Sequence, residues 1–523
     1  MIIVIGIMLV TSLLLVAAFT SSQGEIRLTG LDTNSKKAYY AAQAGIDDYL
    51  YHITRDSNYL SYCTSPTPAN AALNQEGSTA NRATIPGSIG EKPEEQYAIQ
   101  LLTAASAPST DKKCDVNRLS ETMIETTGAA AGTFRIESTG YAGNESRSIV
   151  ATFKNVNFVS YVWFTKYETF DPVAYGEPIK SQCGAFWPKR PEGNGECTST
   201  NFFVTGESIN GPIHTEDHAG ICGRPTLGRT ASDRIEFGSR GEPAGEGFSN
   251  EGCPSEANPE WVGTHIPVKE VPELEPPPGD EELQHIEGRN EYANKTEIVL
   301  EGNKMTVIRG GVSEPNVAFP KGHLIYVAGG CSKPYSPFGP KPGYTEDATC
   351  GNVYVRGEYS ESLTIAAQND VIINGNLIGP HNSEGTPTGT VMLGLIANNF
   401  VRIYHPLSGS RGTSQRSCSS SSNAAGDLKE PLIDAAILAL KHSIVVDNYD
   451  CGAASLGLLN VNGAIAGLFS NGMTGFFEGS SVVNGYPYNL KYDNRLLAEE
   501  PPHFLNPIRA AWIIQHATLA TKP

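Results

Sequence analysis

The segment His214-Thr215-Glu216-Asp217-His218 is the densest group of metal-ligating side chains in the sequence. Two histidines four positions apart could bind one metal ion from the same face of a helix. However, the segment follows Gly211-Pro212, lacks the HExxH order, and has the character of a strand that leads into a corner. On a strand, positions four apart are separated by roughly 13 Å, which is too far for one ion. We therefore expect no metal site here, but a polar corner whose histidine hydrogen-bonds the next strand.

Acidic residues at predicted turns raise a second possibility, the cleavage of polysaccharides. Parallel β folds with this activity must bring carboxylates from neighbouring coils together, because glycosidic hydrolysis uses a pair of carboxyl groups. Asn369 and Asp370 lie at one predicted corner, and Asp447 and Asp450 lie at another. Nothing in the sequence aligns these corners, and Asn and Asp are ordinary turn residues. A GxSxG motif and a phosphate-binding glycine loop are also absent, so we expect no enzyme, no catalytic residue and no cofactor.

Two further patterns have ordinary structural explanations. Asn144-Glu145-Ser146 and Asn294-Lys295-Thr296 match the acceptor pattern for N-glycosylation, but the same pattern occurs in plain surface loops. Four tyrosines lie in one predicted helix, and we expect packing roles for them rather than an electron path: Tyr39, Tyr40, Tyr49 and Tyr51.

The elements that position these groups begin with an apolar N-terminal segment. Residues 1–20 contain no charged residue, and the first one is Glu25. About twenty apolar residues at roughly 1.5 Å rise each are long enough to cross a bilayer. A signal peptide would need a basic n-region, and a membrane anchor usually has flanking Lys or Arg, whereas no basic residue precedes Arg27. The third interpretation is a helix that packs with other helices in a filament.

Residues 25–54 continue this segment as an amphipathic helix. Seven apolar residues recur at spacings of three, four or seven and therefore mark one helix face: Leu28, Leu31, Ala38, Ala42, Ile46, Tyr49 and Ile53. An apolar half-helix could pack into a filament core while the amphipathic half carries a globular domain. Gly24 and Gly30 each weaken a helix by about 1 kcal/mol relative to Ala, so we expect local melting between residues 20 and 32.

The string AYYAAQAGIDDYL, residues 38–50, resembles the alanine-rich segment of type IV pilins and minor pilins. Four more segments resemble a family of large bacterial pilin-like proteins with an N-terminal pilin helix and a β-rich body: residues 209–217, 393–406, 435–449 and 491–512. The resemblance implies a basic leader removed by prepilin peptidase, residence in the inner membrane before assembly by the pilus machinery, and a filament core formed by Met1, Ile5, Gly6, Met8, Leu9, Leu13, Leu14 and Val16. Pilins usually carry glutamate at the fifth position; tip-type minor pilins often lack it, so Ile5 is compatible with either a main or a tip subunit.

Composition is consistent with an exported protein. The 523 residues carry a formal net charge of −18, which opposes nucleic acid as a partner because phosphate binding needs basic patches. The ten cysteines are even in number and none forms a CxxC, so we expect disulfides, with free thiols as the alternative. Sequential pairing would join Cys63 to Cys114, Cys183 to Cys197, Cys222 to Cys253, Cys331 to Cys350, and Cys418 to Cys451.

The remaining sequence predicts an α+β chain. Residues 1–54 form the pilin-type helix and residues 55–157 a small antiparallel β module, with a hairpin at 133–154 that turns at Ala142-Gly143-Asn144. Residues 158–487 form a β-rich body whose short runs end in Gly or Asn; we expect a parallel β-solenoid, with an antiparallel sandwich as the alternative. The body includes a Pro-rich insertion at 254–290 and a Ser-rich loop at 408–429, and residues 488–523 form a C-terminal strap.

Three functions remain open at this stage. The first is a structural subunit of an extracellular filament, with copies of itself or other pilins as partners. The second is a minor or tip pilin that acts as an adhesin for surfaces or carbohydrate. The third, and the least supported, is a membrane-anchored carbohydrate-active enzyme.

Overall fold

The computed structural model describes residues 32–54, 59–61, 71–85, 95–105, 107, 114, 122–125, 133–169, 171, 186, 202–239, 245–250, 253–268, 274–332, 334–335, 348–408, 422–423, 427–452, 456–470, 477–478, 481–482, 484–497, 499–508 and 511–520. They belong to two compact units, a first within Met1–Val156 and Ala511–Pro523 and a second within Asn157–Ala510. In this part of the chain, no helix has the length and apolar character needed to span a bilayer.

The first unit is one helix packed on an antiparallel sheet. The helix covers residues 32–54 and is followed by a 3₁₀ turn, Tyr59–Ser61. The strands before the second unit are β1 (Leu73–Asn74), β2 (Ala83–Thr84), β3 (Glu95–Leu102), β4 (Thr133–Ala142) and β5 (Glu145–Val156). β3, β4 and β5 pair antiparallel. The predicted hairpin is confirmed, and it turns at Gly143-Asn144, where Gly143 has a φ of +57°.

The helix buries the face that its periodicity predicted. Ala38, Ala42, Ile46, Tyr49 and Ile53 are all at most 1% exposed. The remaining members of that face, at positions 28 and 31, lie outside the described residues. Tertiary packing of this face, rather than intrinsic propensity, therefore supplies most of the stability of the helix.

The second unit is built almost entirely from short strands. In chain order they are β6 (Trp163–Tyr167), β7 (Phe202–Val204), β8 (Ser208–Asn210), β9 (Ile213–Thr215), β10 (Ala219–Cys222), β11 (Thr226–Leu227), β12 (Arg234–Gly238), β13 (Phe248–Ser249), β14 (Glu260–Trp261), β15 (Thr264–Val268), β16 (Asn290–Ala293), β17 (Thr296–Gly302), β18 (Lys304–Arg309), β19 (Val312–Ala318), β20 (Leu324–Ala328), β21 (Val353–Tyr359), β22 (Leu363–Ala367), β23 (Val371–Ile378), β24 (Leu393–Ala397), β25 (Val401–Ile403), β26 (Leu407–Ser408), β27 (Ser422–Asn423), β28 (Leu432–Ala439), β29 (Ile444–Val446), β30 (Leu459–Phe469), β31 (Phe477–Glu478), β32 (Ser481–Val482) and β33 (Tyr488–Tyr492). Three further 3₁₀ turns cover Phe158–Ser160, Glu281–His285 and Asn494–Leu497.

Most of these strands pair in parallel. The longest ladder runs β16, β20, β22, β24, β28, β30, β6, β9, β12 and β15. A second ladder runs β17, β21, β23, β25 and β29. In the longest ladder, β6 pairs with β30, where Trp163 lies opposite Ile465. The early strands of this unit therefore stack on its latest ones.

The prediction of an α+β chain with a parallel β-solenoid as its body is wrong. Apart from the helix 32–54 and short 3₁₀ turns, the described elements are strands, so the chain is mainly β. The main sheet has 21 strands and is mixed, because β17, β18 and β19 form antiparallel hairpins, and the described residues show no closed solenoid. Glycines with positive φ at Gly302, Gly310 and Gly311 allow these tight reversals. Short apolar runs that end in Gly predict strands, but they do not determine whether those strands form a solenoid, a sandwich or a mixed sheet.

The Ala- and Leu-rich run at residues 432–446 forms strands β28 and β29 rather than a helix. Three strands pair with β28 in parallel, namely β23, β24 and β30. Pairing on both edges overrides the helix propensity of an Ala- and Leu-rich run.

The last strand, β34 (Ala511–Leu519), returns to the first unit. It pairs antiparallel with β5, and Ala511 lies opposite Val156. The two residues that flank the second unit in sequence are thus cross-strand neighbours. The whole second unit is inserted where a hairpin turn would otherwise join β5 to β34.

Candidate functional site

The helix and the sheet of the first unit touch at backbone distance. A Cβ atom on Gly140 of β4 would lie 2.0 Å from the Ala38 carbonyl oxygen and 2.3 Å from the Ala42 nitrogen. A Cβ atom on Gly45 would likewise lie 2.3 Å from Ser138 Oγ. The small residues in AYYAAQAG therefore allow the helix to approach the sheet closely. This contact fixes the helix that follows the apolar N-terminal segment.

An aromatic cluster completes this helix–sheet contact. The Tyr49 ring lies 5.2 Å from Tyr59, 5.9 Å from Phe134 and 5.6 Å from Phe153, measured between ring centroids. Burial raises the pKa of the Tyr49 phenol well above its ordinary value, so this residue stays neutral. The packing role expected for Tyr49 is confirmed.

The other three tyrosines of the helix do not pack in this core. Tyr39, Tyr40 and Tyr51 are 39%, 69% and 53% exposed. Tyr39 and Tyr40 contact one another edge to face, with centroids 5.7 Å apart. The packing role predicted for these three is thus not met within the first unit.

The predicted polar corner at residues 214–218 is present. His214 lies in β9, and its Nδ1 is 2.8 Å from Glu236 Oε2 on the neighbouring strand β12. The His214 ring also stacks on Phe164 of β6 at 5.7 Å. The strand register thus places Glu236 on one side of His214 and Phe164 on the other. No group of three or more His, Cys, Asp or Glu side chains in the described part of the chain is arranged to hold a metal ion.

Glu236 is the charged partner that holds this corner. Burial alone would raise its pKa, but the hydrogen bond from His214 and the charges of His214 and Arg234 outweigh burial and lower the pKa to about 2. Arg234 Nε donates to Glu236 Oε1 at 2.6 Å. The cluster is a cross-strand contact in which the Glu236 carboxylate is bonded to both His214 and Arg234.

Two of the three carboxylates considered for catalysis, Asp370 and Asp447, pair with a common arginine. Arg402 of β25 donates from Nε to Asp447 Oδ1 at 2.9 Å and from Nη1 to Asp370 Oδ2 at 3.1 Å. Its side chain is only 3% exposed and its guanidinium lies 3.9 Å from the Tyr335 ring. Asp450 is buried as well. These residues form a buried ionic network rather than an open groove.

Asparagines stack beside this network. Asn399 Nδ2 donates to Asn369 Oδ1, and Asn369 Nδ2 donates to Asn352 Oδ1. Arg402 itself was not predicted as a site residue from the sequence. The signal was available, because Arg402 is the one charged residue in the short strand VRI, which is buried throughout. A lone charge in a buried strand requires a partner of opposite charge.

One shallow pocket of about 200 Å³ lies between β28, β30 and the turn at Asn494–Leu497. Its charged groups are already engaged. Arg495 Nη2 bonds Asp493 Oδ2 at 2.6 Å, and Asp434 accepts from Asn462 Nδ2 at 2.8 Å and from the Gly379 nitrogen at 2.9 Å. Arg495 Nη1 also donates to the carbonyl oxygens of Thr388 and Val391. The charged groups that line this pocket therefore bond neighbouring segments to one another rather than form a ligand site.

The two glycosylation patterns lie at exposed turns. Asn144 occupies the β4–β5 turn, and Asn294 precedes β17 with a φ of +65°. Thr296 is fully buried, and its hydroxyl donates to the Asn294 carbonyl at 3.0 Å. These positions agree with the surface-loop explanation.

Two of the five predicted disulfides are present. Cys222 is bonded to Cys253, and Cys331 is bonded to Cys350. Cys114 and Cys451 are disulfide-bonded too, whereas Cys63, Cys183, Cys197 and Cys418 lie outside the described residues. The other three pairings therefore remain predictions.

Removal of the Cys222–Cys253 bond should destabilise the second unit. The bond closes a separation of 31 residues. In the chain-entropy model a loop of this size contributes about 3.7 kcal/mol to the unfolding free energy. We expect Cys222→Ala with Cys253→Ala to lose about that amount in chemical denaturation. A reducing agent should destabilise the double variant less than the parent, because the variant no longer has this bond; an unchanged denaturation midpoint relative to the oxidised parent would contradict the prediction.

The proposed filament-core residues, Met1, Ile5, Gly6, Met8, Leu9, Leu13, Leu14 and Val16, lie outside the described residues. The expected melting positions, Gly24 and Gly30, do so as well. Their predicted roles remain predictions.

Comparison with known proteins gives little further information. No family model matches the chain, and no curated protein is similar to it. A similar solved structure is that of the competence-associated pilin ComZ from Thermus thermophilus, which aligns with 93% of this chain and 98% of its own at 11% identity and a TM-score of 0.26. Such a low score shows neither a shared fold nor a shared function.

Proposed function

We propose that this chain is a structural subunit of an extracellular filament of the type IV pilus kind, assembled through its N-terminal helix. The observation that carries the proposal is the first unit: a helix that follows twenty apolar residues is locked on an antiparallel sheet through Ala38, Ala42 and Gly140. The apolar segment precedes this helix in the sequence, and in a filament it would pack with the same segment of other copies. Burial of this segment supplies the drive for assembly, at about 25 cal/mol per Å² before entropy costs.

The insertion of the second unit into the first supports separate roles for the two units. Val156 and Ala511 are paired neighbours, so the sheet of the first unit is complete although 354 residues separate the two strands. The first unit would assemble the filament, and the disulfide-bonded second unit would be displayed on its surface. Before assembly the protein would reside in the inner membrane, with prepilin peptidase, the assembly machinery and other pilins as partners. The net charge of −18 disfavours nucleic acid as a partner.

A tip or minor pilin that acts as an adhesin is the second candidate. Ile5 favours it, because main subunits usually carry an acid at that position. We also propose that the protein acts without catalysis. This view is supported by the burial of Asp370 and Asp447, whose carboxyl groups pair with Arg402 away from solvent.

Substitution of Leu13 with aspartate tests the filament role. A charge in a packed helix bundle costs several kcal/mol per subunit, so Leu13→Asp should abolish filaments if this chain is the main subunit. The measurement is electron cryomicroscopy of filaments sheared from cells, at a resolution that identifies side chains. Leu458→Asp, at a 36% exposed position of the second unit, is the control and should leave filaments intact.

Two outcomes of that experiment would redirect the proposal. If filaments persist in Leu13→Asp cells while adhesion drops, the tip role is supported. If this chain is absent from filaments and their ends in parental cells, both pilin roles fail.

A further inference from the structure

The outer face of the longest parallel ladder is covered by two segments. β22 and β24 read LTIAA and LGLIA and are buried at every residue, although alternate side chains of a strand point to opposite faces. One face packs inside the unit, so the other must be covered as well. Residues 274–285 and 499–508 provide this cover, and we name them the crossing segments.

The first crossing segment runs from β9 to β20. The Leu274 nitrogen donates to Glu216 Oε1 at 2.6 Å, beside the end of β9. Gln284 Nε2 donates to the Tyr326 hydroxyl of β20 at 2.9 Å. Six strand spacings separate β9 from β20 in this ladder, or about 29 Å, and six extended residues followed by a 3₁₀ turn cover a similar length. The segment predicted as a Pro-rich insertion is thus in part an ordered strap.

The second crossing segment runs over the same ladder. Thr364 of β22 donates its hydroxyl proton to the Pro502 carbonyl, and His503 Nε2 lies 2.9 Å from the Gly322 carbonyl before β20. A Cβ on Gly394 of β24 would lie 3.0 Å from Pro501 Cβ and 3.1 Å from a ring carbon of Phe504. The two segments meet where the Ile508 nitrogen donates to the Glu275 carbonyl at 2.9 Å. They therefore form one continuous cover.

Each crossing segment carries one carboxyl group that packing forces away from water. Asp280 is fully buried; its Oδ1 accepts from the Tyr326 hydroxyl at 3.1 Å, and its Oδ2 has no hydrogen-bond partner among the described residues. Burial raises the pKa of Asp280 to about 6, with a further increase from Glu281 and an opposing effect of Lys441. The ionised form is therefore disfavoured at this position.

Glu500 is a half-buried carboxyl residue of the second crossing segment. It accepts hydrogen bonds from Asn157 Nδ2 and, at 3.1 Å, from Asn506 Nδ2. Burial raises the pKa of Glu500 to about 7, and the two amide donors only partly oppose this rise. Tyr492 also faces this carboxyl, and it stays neutral.

We propose that the two crossing segments act as a pH-sensitive latch, closed over the ladder when Asp280 and Glu500 are protonated and loosened when they ionise. Ionisation of the two carboxyls can loosen the cover because both lie in segments that contact each other and pack on an apolar face of the ladder. Loosening uncovers the outer face of β20, β22 and β24. Acidification closes it.

The direction of the pH dependence follows from the two raised pKa values. A carboxyl with a higher pKa in the closed state binds its proton more tightly there, so protonation favours closure. The stabilisation is complete below pH about 4, where the carboxyls are protonated in either state. It is lost as the pH rises through about 6 for Asp280 and about 7 for Glu500.

Amide hydrogen exchange of the full chain at about pH 5 and about pH 8, corrected for intrinsic exchange rates, tests the latch. Peptides from the two crossing segments should lose protection by roughly 10- to 100-fold at the higher pH, since one pKa unit corresponds to about a tenfold change. Asp280→Asn combined with Glu500→Gln keeps the shapes but removes the titration, so its protection should be the same at both pH values. Glu314→Gln, at an exposed residue of β19, should behave like the parent.

Two results would overturn the proposal. One is a parent protein whose crossing segments are equally protected at both pH values. The other is a double variant that keeps the full pH dependence of the parent. Should the double variant fail to fold, Glu500→Gln alone provides the test, because it should remove the pH dependence of residues 499–508 and retain that of residues 274–285.

Discussion

Replacement of Gly140 with alanine should force the helix off β4 and lower the unfolding free energy of the first unit by about 3 kcal/mol. The added Cβ would lie 2.0 Å from the Ala38 carbonyl oxygen and 2.3 Å from the Ala42 nitrogen, and both are helix backbone atoms. A flexible side chain could turn away, but a helix backbone can only shift as a body. Relief of the clash therefore separates Tyr49 of the helix from Phe134 and Phe153 of the sheet.

Chemical denaturation followed by tyrosine fluorescence would measure this loss. Gly330→Ala is the matched control, because a Cβ atom at Gly330 would meet nothing within 4 Å. Filament assembly should fall in Gly140→Ala cells and be unchanged in Gly330→Ala cells. Equal stability of the two variants would show that the close contact between helix and sheet is not rigid.

The first unit could be predicted closely from the sequence because its signals are local. The buried helix face repeats with helical periodicity, and the 133–154 hairpin is marked by alternating strands around a glycine turn. The partner of β5 could not be predicted in this way. β34 pairs with β5 across 354 intervening residues, and no local pattern in residues 511–519 specifies that partner.

In the second unit, individual strands could be predicted but their closure could not. LTIAA and LGLIA predict buried strands, yet the same letters are compatible with a solenoid, a sandwich or a mixed sheet. The pairing of β6 with β30 joins Trp163 to Ile465, so it depends on the whole intervening chain. Candidate sites show the same limit: Asp370 and Asp447 could be named from the sequence, but their common partner Arg402 required the three-dimensional register.

Replacement of Arg402 with methionine should destabilise the second unit by about 3–5 kcal/mol, because it leaves two buried carboxylates without a counter-charge. The loss should be greater at about pH 8 than at about pH 5. Burial already raises the pKa of Asp447 well above its ordinary value, and loss of the guanidinium removes a charge that favours the ionised carboxylates, so the remaining stability falls as the pH rises. Arg356→Met is the control: Arg356 pairs with Glu297 at a site where its side chain is 39% exposed, and it should lose at most about 1 kcal/mol.

Neutralisation of the whole network separates charge from packing. Arg402→Met combined with Asp370→Asn and Asp447→Asn removes the unpaired charges, so it should recover most of the stability lost in the single variant. No recovery would mean that Arg402 stabilises the unit through its packing on Tyr335 rather than through its charge. In cells, Arg402→Met should impair the displayed second unit and leave filament assembly intact, the reverse of the result expected for Gly140→Ala. Loss of filaments in both variants would contradict the assignment of assembly to the first unit alone.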